Sequence, residues 1–170
     1  MFVCACSHHP AAPATPAPVP APSDDVDAQQ RWPGLAEALA GTWVSEDGAW
    51  TIEAHAVARG SALLQTWRAG GGETLNLLHP DGEGLVLLHV CAQGNLATLR
   101  ARPTDDGHLA FVQREVTALL PGSASLCALE LWLQPERVRM LEQYCGADGT
   151  PVPPSEIVLR RSAPASTISQ

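Results

Sequence analysis

The chain has 170 residues, about one domain's worth, and its 45% hydrophobic content is enough to build a core. A formal charge of −8, from 18 acidic and 10 basic residues, leaves no basic surface to neutralise a track of phosphates, which weighs against nucleic-acid binding. No apolar run approaches the roughly 18–20 residues of a membrane-spanning helix. All ten basic residues are arginine, which reads as codon bias and carries no functional weight.

The first 31 residues read as an address. Val3-Cys4-Ala5-Cys6-Ser7 resembles the end of a bacterial lipoprotein signal, with a branched apolar residue three positions before Cys6 and small residues around it. The resemblance implies a lipid on Cys6 and a domain held in the bacterial envelope, facing the periplasm. The charged start and apolar segment that precede such an end are expected upstream of Met1. Pro10 to Pro22 alternates proline with small residues and should be an extended spacer, reaching on the order of 40 Å at ~3.1 Å per residue. Cys4, Cys6, His8 and His9 lack the separated pairs of a structural zinc site, so no metal is assigned to them.

The folded domain is expected over residues 32–161, with a disordered tail at 162–170. Trp32 to Gly41 predicts one short helix, with Pro33 at its start, Gly41 at its end and Leu35, Ala38 and Leu39 at helical spacing. Beyond it, ten short alternating or apolar segments predict strands, the first at Thr42–Glu46 and the last at Ser155–Arg161. Tight-turn chemistry separates them, as at Asp47-Gly48, Arg59-Gly60, Gly70-Gly71-Gly72, Gly94-Asn95 and Pro135-Glu136. Hairpins in series with almost no helix predict an all-β fold, an antiparallel up-and-down barrel of about 8–10 strands closed at one end by the helix. A two-sheet sandwich is the alternative, but its crossing connections need longer links than these turns.

Leu39-Ala40-Gly41-Thr42-Trp43 resembles the Gly-x-Trp entry to the first strand of lipocalin-like (calycin) barrels. Leu88-His89-Val90-Cys91-Ala92-Gln93-Gly94-Asn95, with Arg100-Ala101-Arg102, Gly107 to Phe111 and Gly60 to Leu64, is similar to a group of uncharacterised bacterial lipocalin-like proteins. The similarity runs from about Leu35 to Tyr144. It departs at Val90, where Tyr is expected, and at Ser125-Leu126-Cys127, where a His-Met-His stretch is expected. The resemblance implies a barrel with a Trp over its closed end, and no biochemical role.

Strand alternation puts Leu85, Leu87, His89 and Cys91 on one face, and Cys127, Leu129, Leu131 and Leu133 on another. If both faces point inward, His89, Cys91 and Cys127 converge on one polar spot in an apolar lumen lined by Leu87, Leu129 and Leu131. Such a spot suits the head group of a small apolar or amphipathic ligand. The alternatives are a soft metal held by His89, Cys91 and Cys127, an enzyme using His89 with Cys91, haem held by His89, and a structural barrel in which the histidine bonds the backbone and the cysteines pack as small hydrophobes. No cofactor is assigned. Trp43, Trp50 and Trp67 are expected in the core near the closed end, and His55, His79 and His108 at the rim or surface.

With Cys6 lipidated and Cys4 cleaved away, Cys91, Cys127 and Cys145 allow one disulfide. A two-residue turn at Pro135-Glu136 pairs Leu133 with Val138 and Leu131 with Met140, and sets Cys127 across from Tyr144 with Cys145 facing away. That register favours Cys91 with Cys127. A three-residue turn would align Cys127 with Cys145 at the cost of placing Leu133 against Arg139.

Overall fold

The computed structural model describes residues 26–102, 104 and 108–162. Cys4, Cys6, the Pro-rich segment and the tail from residue 163 lie outside the described residues, and with them the lipidation and spacer expectations. Among the described residues one α-helix, α1 (Val26–Leu39), precedes a single 3-10 turn, at Ala58–Gly60, and ten strands. These are β1 (Gly41–Ser45), β2 (Thr51–Val57), β3 (Ala62–Ala69), β4 (Gly72–Pro80), β5 (Leu85–Val90), β6 (Leu96–Arg102), β7 (Leu109–Thr117), β8 (Ala124–Gln134), β9 (Arg137–Gly146) and β10 (Ser155–Arg161). Every strand pairs antiparallel with its neighbours in sequence, and β1 closes onto β10 through Trp43 opposite Arg161 and Ser45 opposite Leu159. The result is a closed ten-stranded meander. Closure leaves no edge strand to pair with another chain, and the short turns permit it, whereas a sandwich is excluded.

The helix begins at Val26, upstream of the domain boundary expected at Trp32, and Pro33 lies inside it rather than at its first turn. Proline removes one intrahelical hydrogen bond, and tertiary anchoring offsets the loss. Trp32 is buried and donates from Nε1 to the Gly60 carbonyl at 2.7 Å, fixing the helix to the turn between β2 and β3. That turn is itself unusual: Ala58 and Arg59 both take positive φ, 49° and 60°.

Arg161 ties the far end of the chain to the helix. The last turn of α1 carries no basic residue of its own. From β10, Arg161 donates from Nη2 to the Ala38 carbonyl and from Nη1 to the Ala40 carbonyl, placing a cation at the negative end of the helix. Its guanidinium lies 4.3 Å over the Trp43 ring, a contact worth about 0.5–2 kcal/mol, while Trp43 Nε1 donates to the Leu39 carbonyl. Gly41 is required here by its φ of +116°, and a Cβ would in addition sit 2.8 Å from Arg161 Nη1 and displace the guanidinium from its cap.

The helix and the turn at 58–61 define the closed end. Here Trp32, Leu39, Trp43, Leu63, Leu78, Leu85, Val138 and Leu159 join the core. The opposite end carries the connections 46–50, 70–71, 91–95, 118–123 and 147–154. Trp43 belongs to the closed end as expected, but Trp67 stands two residues from the far end of β3, and Trp50 lies edge-on to it at 6.1 Å. They build the open half instead, because successive strands run in opposite directions and a late residue of β3 is remote from the helix.

Candidate functional site

Register builds the site. On three adjacent strands, Gln65 of β3 pairs with Asn76 of β4, and Asn76 pairs with His89 of β5, so these polar side chains sit side by side. Each alternates with inward apolar residues: Leu63 and Trp67 flank Gln65, Leu78 follows Asn76, and Leu87 precedes His89. Across the lumen on β9, Glu142 and Tyr144 continue the inward series begun by Val138 and Met140. His89 and Tyr144 meet edge to face, with ring centroids 6.3 Å apart. The constellation lies in the half of the barrel away from the helix.

The hydrogen bonds around Asn76 set the state of His89. With its amide group toward the ring, Asn76 donates from Nδ2 to His89 Nδ1 at 2.8 Å and to the Leu75 carbonyl at 3.2 Å, and Oδ1 accepts from Trp67 Nε1 at 3.2 Å. The reverse orientation would turn donor on donor and acceptor on acceptor. Nδ1 is therefore an acceptor, and the ring proton sits on Nε2. Burial lowers the His89 pKa from 6.5 to about 4, so the ring is neutral at pH 7. Nε2 is buried and has no hydrogen-bond partner among the described residues. His89 is only 2% exposed, and such an orphaned donor costs about 1–3 kcal/mol.

Glu142 is the second unexpected group. It is 7% exposed, opposite Leu129 on β8 and Ser155 on β10, and no hydrogen bond or ion pair reaches its carboxyl among the described residues. Burial raises its pKa from 4.5 to about 7, and burial with the nearby Glu142 charge raises that of Tyr144 as well. Strand alternation beyond Met140 was the signal that could have placed both residues inside.

The expected site residues separate. Leu87, Leu129 and Leu131 line the lumen together with Met140, Phe111 and Trp67, around a residual cavity of about 20 Å³, the room of one water molecule. That volume does not admit a porphyrin. Cys91 is a buried free thiol that follows His89 just beyond β5, but no hydrogen bond joins them: His89 Nδ1 is taken by Asn76, and Cys91 Sγ accepts from the Gln93 N–H at 3.5 Å. The thiol–imidazole pair is not formed.

Cys127 leaves the group altogether, because it is disulfide-bonded to Cys145. The two-residue register at Pro135-Glu136 holds, with Leu133 opposite Val138 and Leu131 opposite Met140. A bulge between Leu126 and Ala128 then inserts Cys127 as an extra residue, so that Leu126 faces Tyr144 and Ser125 faces Cys145. Cys145 alternates with the inward Tyr144, and the disulfide draws Cys127 to that outer side. The favoured pairing of Cys91 with Cys127 is thereby corrected.

The run Cys91 to Asn95 forms the connection at the mouth. Gly94 donates to the Cys91 carbonyl at 2.8 Å, Cys91 donates to the Asn95 carbonyl, and Asn95 Nδ2 donates to the Ala124 carbonyl of β8 at 3.1 Å. Asn95 Oδ1 is buried without a partner among the described residues, and Gln113 donates to Ser125 Oγ nearby on β7 and β8. His55 is exposed, while His79 and His108 are half-buried outside the core. Among the described residues no three His, Cys, Asp or Glu side chains converge as a metal set. Comparison with known proteins finds no family model that matches this chain and no matching curated protein.

Proposed function

We propose that this protein is a small-molecule-binding barrel of the lipocalin-like kind, taking a compact amphipathic ligand beneath its open end. The observation that carries the reading is the His89 Nε2–H, a buried donor with no partner among the described residues, oriented by Asn76 and set beside Tyr144. A fold that leaves such a donor unpaired gives up stability at one place, and buried polar groups of this kind mark binding or catalytic sites. A ligand acceptor on Nε2 would recover that energy. The residual cavity of about 20 Å³ lies among the apolar residues below His89, so a ligand that reaches Nε2 requires Met140 and the leucines to give way to its tail.

The Cys6 motif and the Pro-rich segment support a lipid-anchored position in a bacterial envelope, with the spacer holding the barrel off the membrane. The same narrow cavity favours a second reading, a scaffold barrel filled by its own side chains.

Titration separates the two. The full chain is titrated with 1-hexanol, hexanoate and hexylamine while tryptophan fluorescence and heat are followed. 1-Hexanol or hexanoate, which carry an acceptor oxygen, should saturate, and His89→Phe, which keeps the ring's bulk but lacks the donor, should weaken that binding about fivefold, the worth of one hydrogen bond of ~1 kcal/mol; hexylamine, without an acceptor when protonated, should bind more weakly. If none of the three saturates, the filled scaffold is the better account.

A further inference from the structure

One sector of the outer wall is apolar where strand alternation calls for polar residues. On β4 the outward Leu75 and Leu77 are more apolar than the inward Thr74 and Asn76, and β5 is apolar outside as well as inside. Cross-strand register gathers these side chains into two rows. Leu64 of β3 stands opposite Leu77 and Leu77 opposite Leu88, while in the next row Leu75 stands opposite Val90 and Val90 opposite Leu96 of β6. Thr66 and Thr98 complete the rows, so no charged or amide group interrupts them. Val90 is 39% exposed and the others are half-buried. Elsewhere the outer wall carries charge, with Glu53 on β2, Arg139 on β9, and Glu156 and Arg160 on β10. Strands that are apolar on both faces are those covered on both.

We propose that this face covers itself: two copies of the chain pack wall to wall through β3–β6 about a two-fold axis, as a reversible homodimer. An aliphatic face has little polar pattern with which to recognise a different partner, but it complements itself, as a two-fold contact requires. Its rim carries both signs at each end, Arg68 with Glu53 and Glu73 beyond the Leu75 row and Arg100 with Asp81 beyond the Leu77 row. Whichever ends meet, arginine from one copy can therefore approach acid from the other. A bilayer fits less well, because the face has no tryptophan, tyrosine or basic residue to sit among head groups, and a chain of charge −8 is repelled by anionic lipid. Four strands at ~4.8 Å spacing and about seven residues of ~3.3 Å give roughly 450 Å² on each copy. Twice that area lies at the low end for specific association, which sets the dissociation constant on the order of tens of micromolar.

Sedimentation equilibrium of the full chain, loaded from about 1 to 500 μM, reads the association directly. The mean mass should rise from one chain towards two across that range. Leu88→Arg within the face and Thr98→Arg at its edge should each raise the dimer dissociation constant at least tenfold, and either one decides the matter if the other fails to fold. Leu141→Arg, on the outer face of β9 between Glu130 and Glu156, should change it less than twofold. A wild type that stays monomeric at about 500 μM, or a dimer that survives the arginine on β5 or β6, would overturn the proposal. Equal loss in Leu141→Arg would place the contact elsewhere and overturn it too. With phosphatidylcholine vesicles the wild type should remain in the supernatant, and co-sedimentation that Leu88→Arg abolishes would assign the face to lipid instead.

Discussion

Glu142→Gln should make the protein more stable, and increasingly so as the pH rises from about 4.5 to 7. In the unfolded chain this carboxyl ionises near 4.5, but burial on the inner face of β9, opposite Leu129, raises its folded pKa to about 7. A raised folded pKa means that the favourable contribution is fully present below about 4.5 and is lost as the pH rises through 7. The gap between the two values corresponds to about 3 kcal/mol. Glutamine has nearly the same size and cannot ionise, so the variant should exceed the wild type by about 3 kcal/mol at pH 8 and match it near pH 4.

His89 works in the opposite direction. Its pKa falls from 6.5 unfolded to about 4 folded, so its contribution is full above about 6.5 and disappears as the pH falls through 4, again about 3 kcal/mol. In the wild type the two slopes oppose each other between 4.5 and 6.5, and stability should be nearly flat there. In Glu142→Gln the falling limb is gone, and stability should climb with pH across that window. Urea unfolding at pH 4.5, 6.5 and 8 reads both effects. A variant profile parallel to that of the wild type would show that Glu142 is solvated or paired in solution.

The second large effect belongs to the disulfide. Cys127 and Cys145 are 18 residues apart and clamp the β8–β9 hairpin where the bulge interrupts its register. Closing a loop of that size in the unfolded chain corresponds to about 3 kcal/mol. Cys127→Ser with Cys145→Ser should therefore lower the unfolding free energy by roughly that amount, and Cys91→Ser should cost less because Cys91 is unlinked. Non-reducing peptide mapping should find Cys127 joined to Cys145. A Cys91–Cys127 link, or a double variant as stable as the parent, would contradict the assignment.

The barrel was legible because each strand segment announces itself by alternation and each turn by its glycines. All ten segments from Thr42 to Arg161 pair as antiparallel neighbours, within a few residues of their expected bounds. The helix start was less legible, because Pro33 argues locally for a first turn, whereas the hold of Trp32 on Gly60 is a contact 28 residues distant. Arg161 was missed for the same reason: nothing in Arg160-Arg161 marks one as a surface partner of Glu46 and the other as the cap of a helix at the start of the domain.

The site was half legible. Period-two reading placed His89 beside Leu87 in the interior, and the hairpin register at Pro135-Glu136 was correct. A bulge of one residue reverses every facing beyond it, and no residue type near Cys127 signals it, so the cysteine pairing followed the wrong face. Asn76, Glu142 and Tyr144 were readable in principle from alternation with Leu78 and Met140. Polar residues on a predicted inner face are discounted in such a reading, because most strands expose them.

Nitrogen NMR of histidine-labelled protein tests the central claim most directly, because it observes His89 itself. The account predicts that at pH 7 His89 carries its proton on Nε2 with Nδ1 bare, that this state persists down to about pH 5, and that the Nε2 signal moves saturably as 1-hexanol or hexanoate is added while those of His55, His79 and His108 stay in place. A His89 that titrates near 6.5, carries its proton on Nδ1, or ignores every six-carbon probe would contradict it.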